Sequence, residues 1–172
     1  YYFSTIGAEL MRAIHPHLPS VIVEKEEQEQ TQTGKNNFQF NIQLQNTEDI
    51  SYALSLPFYN VELATISGRV DMTADESLQI DAHLPRIMVG SNDIRETKIS
   101  LRNRTSDLGL DLNSYLVQNN GYINVKLDSD AASDSVNNRL SFDMKQNNTN
   151  SAGELLITMG FRRDIDDQLA AN

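Results

Sequence analysis

The sequence has 172 residues but no cysteine and no tryptophan, so disulfides, thiolate metal sites and cysteine nucleophiles are excluded. Lysine and arginine are scarce, 14 against 24 acidic residues, and a net charge of −10 argues against nucleic acid as a partner. No apolar run approaches the ~20 residues of a membrane-spanning helix, and no secretory signal pattern is present. Because the chain opens at Tyr1 rather than Met, we expect a piece of a longer protein.

What the sequence does contain is a polar/apolar alternation with a period of two. In FQFNIQLQ, the apolar residues Phe38 to Leu44 alternate with Gln39 to Gln45, which predicts a half-buried antiparallel strand. The pattern recurs between turn-forming stretches such as ADES, GSND, NRTSD, QNNG, DSDAASDSVNN and QNNTNSAG. The sequence therefore predicts a mainly β fold, an antiparallel meander with one or two short helices.

The predicted layout has four parts. Residues 1–23 hold a short helix and a connection, and 24–37 form a polar linker without apolar residues, expected to be mobile. Residues 38–163 form the meander, with a short helix near 47–56 that turns Ile50, Ala53 and Leu54 inward, and 164–172 form a charged exit segment that could be helical. Pro85 predicts a bend, bulge or edge at 86–90.

The search for site chemistry finds no catalytic residue, no metal site and no cofactor motif. His15, His17 and His83 are interpreted as solvent-exposed, and Asp128, Asp130 and Asp134 as a solvated acidic turn rather than a calcium loop. The polar side of the strands is expected to be an inert, solvated surface with mixed charges: Gln39, Asn41, Arg69, Asp71, Gln79, Asp81, Lys98, Arg102, Asn124, Lys126, Asp143 and Lys145.

The apolar side of the sheet is the informative one, because two short helices cannot cover a sheet about 35 Å wide. A second sheet, closure into a barrel, or a bound ligand could cover it. We expect a sheet curled into a taco-like groove, lined by Phe38, Phe40, Ile42, Leu44, Ile66, Val70, Met72, Leu78, Ile80, Leu84, Leu110, Ile123, Val125, Leu127, Leu140, Phe142, Met144, Leu155, Ile157 and Met159. The alternative is a non-enzymatic β-sandwich, an interaction or adhesion module of a cell-surface protein.

A family resemblance covers nearly the whole chain. The succession STIGAELMRAIHPHLPS, a charged spacer, NNFQFNIQLQNTEDISYALSLPF and ISGRVDMTADESLQIDAHLPRIMVGSNDIRETKISLRN resembles the middle of a TamB-type, AsmA-like protein of the Bacteroidetes kind. The shared phrase is a strand, a short helix after T-E, an L-P pair, and then strands with alternating apolar residues.

The resemblance implies a non-enzymatic function in outer-membrane biogenesis. Such proteins are anchored in the inner membrane, lie in the periplasm and carry phospholipid acyl chains between the two membranes along a β-rich trough. They also assemble outer-membrane proteins with an Omp85-type barrel, here through regions outside this piece. In that setting Asp134-Ser135-Val136 resembles an O-glycosylation signal, with Ser135 as the acceptor.

Overall fold

The fold is mainly β and is an antiparallel meander, as predicted. The structure is a computed structural model that describes residues 14–21, 37–71, 76–118, 120–163 and 169–171. Ten strands share one sheet, and the described helix is a single short one. The elements are β1 (Asn37–Leu44), α1 (Glu48–Ala53), β2 (Phe58–Asn60), β3 (Ala64–Asp71), β4 (Glu76–Val89), β5 (Asn92–Arg104), β6 (Leu108–Gln118), β7 (Gly121–Ala132), β8 (Ser135–Gln146), β9 (Thr149–Arg163) and β10 (Leu169–Ala171).

The strands follow one another across the sheet almost in chain order. The order is β1-β3-β4-β5-β6-β7-β8-β9-β10, and β2 pairs with the end of β4 outside this path. The sheet is not closed, because β1 and β10 stand at its two ends. Its described strands form one layer, so no second described sheet covers the apolar side.

The hairpins are longer and their turns tighter than the sequence indicated. DSDAASDSVNN was predicted as a separating loop, but β7 runs through Ala132 and β8 starts at Ser135. The turn between them is Ser133 and Asp134, whose φ angles of 51° and 57° give the two left-handed residues of a type I′ hairpin. Asp128 and Asp130 therefore lie in a strand, and the prediction of an acidic turn was wrong for both.

An irregularity in β5 lies beside Pro85. Leu84 pairs with Thr97 and Arg86 with Arg95, while the β5–β6 register shifts between Arg95 and Lys98. Glu96, within this shift, has a φ of 52°. An extra residue in one strand bends that strand and changes which residues of the two strands lie opposite each other. Beyond the shift, Ile94 of β5 lies opposite Leu116 of β6.

The fully buried core is small and lies at one corner of the sheet. Val70 and Leu78 are 2% and 0% exposed, and Phe38, Ile80 and Leu101 pack against them. The sheet thus has one tightly packed region and a much larger, half-exposed remainder.

The short helix was predicted in the right place but with the wrong inward face. Ile50 and Leu54 are 57% and 65% exposed and Ala53 is exposed as well, whereas Ser51 is buried. None of the described elements packs against the apolar side of this helix, so the helical spacing did not determine its orientation.

Residues 14–21 dock against the β7–β8 turn. The Ser20 N–H and hydroxyl donate to the Asp134 carboxylate at 2.7 and 2.9 Å, and the Asp134 N–H donates to the His17 carbonyl at 2.9 Å. His17 is only 4% exposed, so its prediction as a solvent-exposed residue was wrong. The acidic motif around Asp134 is thus a docking point for the chain rather than a solvated turn.

Several predictions fall on residues outside the described part. They include the helix ending near residue 14, almost all of the 24–37 linker, and Met72. At the other end, β10 shows that residues 169–171 of the exit segment form a strand paired with β9 rather than a helix.

Candidate functional site: an apolar sheet face

The backbone register brings alternating apolar residues into rows across the strands, one of them continuous and the rows beside it interrupted by polar residues such as Ser129 and Asn138. One row, here called the central rung, takes one apolar residue from each of eight strands: Ile42, Ile66, Ala82, Ile99, Leu112, Leu127, Leu140 and Leu155. At about 4.8 Å between strands, the row extends for roughly 34 Å. Together with the neighbouring rows it forms what we call the apolar face.

The central rung is neither buried nor fully exposed. Ile42 and Leu155, at its ends, are 43% and 54% exposed, and every residue between them is partly exposed. Aliphatic side chains of this size gain roughly 1.5–3 kcal/mol each when they leave water completely. Much of the apolar face is therefore still in contact with water, and covering it with an apolar ligand would be favourable.

Most of the predicted lining residues do lie on partly exposed strand positions, with two corrections. Val70 and Leu78 belong to the packed corner and are closed to any ligand, because their neighbours already cover them. Conversely, Ala82, Ile99 and Leu112 complete the central rung but were missing from the predicted lining. The same alternation that revealed their neighbours was visible at all three positions.

Two aromatic rings cover glycines on the apolar face. A side chain built on Gly68 would collide with the Phe40 ring, and one built on Gly153 would come within 2.6 Å of the Phe142 ring. Phe40 pairs with Gly68 and Phe142 with Gly153 in the register, so each ring lies over its cross-strand neighbour. Glycine at these positions lets the aromatic side chains fold down onto the sheet.

The opposite face carries a charged network around Arg102. Its guanidinium donates to the Asp81 carboxylate at 2.7 Å and to the carbonyl oxygens of Ile80 and Leu101 at 3.1 and 3.0 Å. Partial burial acts to raise the pKa of Asp81, but the hydrogen bonds from Arg102 and Gln79 outweigh it and the pKa is lowered. These contacts tie neighbouring strands together.

A carboxylate pair stands next to this network. Asp111 and Asp128 face each other across β6 and β7. Partial desolvation, together with the hydrogen bond and like charge of Asp128, raises the pKa of Asp111. An open hollow of about 580 Å³ lies over this region, and its lining includes both carboxylates, His83, Lys98 and Lys126. The hollow is thus mainly on the polar face, whereas the sequence predicted concavity on the apolar one.

A second ion cluster joins β4 to β5. Asp93 accepts hydrogen bonds from Arg86 at 3.1 Å through both carboxylate oxygens, and from Arg95 at 2.8 Å. The hydrogen bonds from Arg95 and Arg86 lower the pKa of Asp93 to about 2. The cluster lies just beyond the β5 irregularity and holds the two strands together there.

The polar face also contains features that the alternation did not predict. Asn124 is 8% exposed, so its prediction as a solvated residue was wrong. The rings of Tyr115 and Tyr122 meet edge to face at 5.8 Å, and Leu156 is 65% exposed among polar neighbours. Ser135, the predicted glycosylation acceptor, is half-buried at the first position of β8.

Within the described ranges, no group of three or more histidine, aspartate or glutamate side chains is placed to hold a metal ion. In the same part of the chain, no helix is both long and apolar enough to cross a membrane. Comparison of the chain with protein-family models, curated proteins and solved structures gives no match to any of them. The apolar face is therefore the feature on which a functional proposal rests.

Proposed function

We propose that this chain is a segment of a periplasmic, inner-membrane-anchored protein whose apolar β-surface holds phospholipid acyl chains during transport between the two membranes. The observation that supports this most strongly is the central rung, an aliphatic row about 34 Å long on a sheet with no second described sheet over it. The resemblance to TamB-type proteins supplies the setting and the expected Omp85-type partner.

The chemistry of the rung suits an acyl chain better than a polar ligand. Its eight residues are isoleucine, leucine and alanine, which offer no hydrogen-bonding side chain. Each methylene transferred from water onto such a surface contributes up to about 0.8 kcal/mol. A hydrocarbon chain lying along the rung would contact one side chain from each strand that it crosses. A curl of the sheet around the lipid, into the proposed groove, would increase the contact.

The partial exposure of the apolar face favours transport of a lipid over tight binding of it. Partly exposed side chains on a single layer cover a ligand from one side only, so much of an acyl chain would remain accessible. Binding that is favourable along the whole row but strong at no single point allows the lipid to slide. The role needs no catalytic group and no cofactor, and the mixed charges of the polar face would keep the outside solvated.

The decisive experiment compares two variants of β7, one with an aspartate on the apolar face of the sheet and one with an aspartate on the polar face. Leu127 lies in the central rung of β7, and Lys126 is its neighbour on the polar face. Leu127→Asp should greatly reduce the phospholipid retained by the purified chain, because a carboxylate on the rung would have to be desolvated by the acyl chain. Lys126→Asp is the matched control and should retain lipid as the wild type does.

Bound phospholipid is measured by native mass spectrometry after delipidation and controlled re-addition, with circular dichroism to verify the fold. Equal lipid retention by Leu127→Asp and the wild type would refute the proposal. A wild-type chain that takes up no phospholipid would refute it too, and would favour the alternative of a protein-interaction module.

A further inference from the structure

The hollow on the polar face lies in the middle of the sheet. It has a volume of about 580 Å³, and its lining comes from β3, β4, β5, β6 and β7. Each of these strands is paired on both sides, from β3 between β1 and β4 to β7 between β6 and β8. The lining is therefore supplied by interior strands of the sheet and not by its edges.

Two neighbouring rows of this hollow carry opposite charges. In one row, here called the lysine row, Asn113 of β6 stands between Lys98 of β5 and Lys126 of β7. In the next, the aspartate row, Asp111 of β6 pairs with Asp128 of β7. Two positions along a strand span about 6.8 Å, and two steps across the sheet span about 9.6 Å. The hollow thus offers two ammonium groups on one side and two carboxylates on the other.

The charges of these two rows are not neutralised by ion pairs between them. Within the described ranges, neither Lys98 nor Lys126 forms an ion pair with a carboxylate, whereas Arg102 and Asp81 beside them pair at 2.7 Å. The lysines and aspartates of both rows are exposed. They are therefore accessible to a ligand that enters the hollow.

The aspartate row is unfavourable without a cation. Asp111 and Asp128 occupy directly paired positions, and like charges opposite each other in a sheet are destabilising. Partial desolvation, followed by the hydrogen bond and the like charge of Asp128, raises the pKa of Asp111. A cationic group between the two carboxylates would relieve this repulsion.

A ligand with a single charge would fit only half of the hollow. An anion between the two lysines would face the aspartate row from about 6.8 Å, and a cation at the aspartates would face the lysine row from the same distance. A zwitterion instead presents each of its charges to the row of opposite sign. The arrangement of the two rows therefore favours a ligand that carries both charges.

We propose that the hollow binds a small zwitterion with an ammonium group and a phosphate group on a short chain, as in phosphoethanolamine. The ammonium group donates hydrogen bonds to the carboxylates of Asp111 and Asp128. The phosphate accepts hydrogen bonds from Lys98 and Lys126, whose long, flexible side chains can converge over Asn113. A phosphate monoester has three acceptor oxygens and up to two negative charges, so it can bind both lysines at once.

This site is independent of the proposed lipid surface, because it lies on the other face of the same strands. Lys98 alternates with Ile99, and Lys126 with Leu127. The strands between the two faces are paired without a gap, so one lipid cannot occupy both. The zwitterion is either a free small molecule or the headgroup of a separate lipid, and the test distinguishes these two sources.

The test uses phosphoethanolamine as the probe and measures its affinity by NMR chemical-shift titration of the wild-type chain. Inorganic phosphate and ethanolamine, which each carry charge of one sign, are the comparison ligands. Phosphoethanolamine should bind about fivefold more tightly than either one, because each of them leaves one row unpaired. The shifts should centre on the lysine and aspartate rows, and the affinity should fall as salt is added.

Charge-removing variants test the two rows separately. Lys126→Gln and Asp128→Asn should each weaken phosphoethanolamine binding by about fivefold, since each removes one charged partner in a site open to solvent. Lys145→Gln and Asp130→Asn are the matched controls, because both residues lie on the polar face outside the lining of the hollow. Both controls should bind as the wild type does, with circular dichroism to verify every fold.

Equal affinity for inorganic phosphate and phosphoethanolamine, or unchanged binding by Asp128→Asn, would overturn the proposal and leave a site for anions only. A wild-type chain that binds none of the three ligands would overturn it as well. Displacement of the probe by vesicles containing phosphatidylethanolamine would support a lipid headgroup as the source, and lack of displacement would support a free zwitterion. Leu127→Asp should bind the probe as the wild type does, so this proposal and the proposed function can fail separately.

Discussion

Gly121→Ala should destabilise the fold by about 2–4 kcal/mol, because a side chain at this position meets backbone rather than a movable side chain. Gly121 begins β7 and lies opposite Gln146 in β8. A Cβ atom added there would collide with the carbonyl oxygen of Lys145 and lie 2.9 Å from the Cα of Gln146. The two strands would have to separate at the end of their hairpin to make room.

The magnitude follows from two contributions. Forcing extra volume into a packed position costs about 1–3 kcal/mol. Local separation of β7 from β8 also weakens one or two ladder hydrogen bonds, each with a net contribution of about 0.5–1.5 kcal/mol. Gly109→Ala is the control, since no atom lies within 4 Å of a Cβ built in β6 at that position. It should be neutral or stabilise by up to about 1 kcal/mol, because alanine costs less than glycine in a strand.

Urea unfolding followed by far-ultraviolet circular dichroism measures both free energies, and an unchanged m-value shows that the midpoint reports stability. Hydrogen exchange adds a local readout: Gly121→Ala should speed exchange at the start of β7 and the end of β8 first. If Gly121→Ala unfolds within about 0.5 kcal/mol of the wild type, or if both substitutions have the same effect, the backbone-contact argument is refuted.

Two further predictions concern carboxylates, and both are measured as differences in unfolding free energy across pH. The pKa of Asp93 is lowered from 3.8 to about 2, so its stabilisation is present above pH 3.8 and is lost as the pH falls toward 2. Asp93→Asn should therefore lower the free energy of unfolding by about 1 kcal/mol at neutral pH, a value that allows for solvent screening. Near pH 2 the substitution should have no effect. A difference that stays constant across pH would contradict this prediction. Asp111 has the opposite sign, because its raised pKa makes the ionised form unfavourable in the fold. Asp111→Asn should stabilise by a few tenths of a kcal/mol at neutral pH, and this gain should disappear below pH 3.8.

Much of the sheet could be predicted from local sequence because the meander is itself local. Alternation identified the strands, and turn-forming residues placed most of the hairpins. The turn positions were less accurate, as the Ser133–Asp134 turn shows. Polar residues beside a turn can continue a strand when their side chains remain in water. Many strand positions of a single-layer sheet are exposed, so polar residues near a turn often belong to the strands.

The errors share a physical cause, since each depends on distant residues. His17 is buried through a segment that docks on Asp134, more than a hundred positions along the chain. Ile50 of α1 and Leu54, which follows the helix, are exposed because none of the described elements covers the side on which they lie. Alternation likewise does not show why Val70 and Leu78 are buried while equally apolar residues on β9 are exposed.

The almost sequential order of the strands also determines how the molecule should form. Each long strand finds its main partner one tight turn away, so few long loops must close before contacts are made. Once one hairpin exists, the sheet can grow by adding strands to its edges, as in repeat proteins whose units contact only their neighbours. The buried corner at Val70 and Leu78 should be the last region to open. Under native conditions β9, the long strand farthest from that corner, should open first, in local fluctuations that need less free energy than unfolding of the whole sheet.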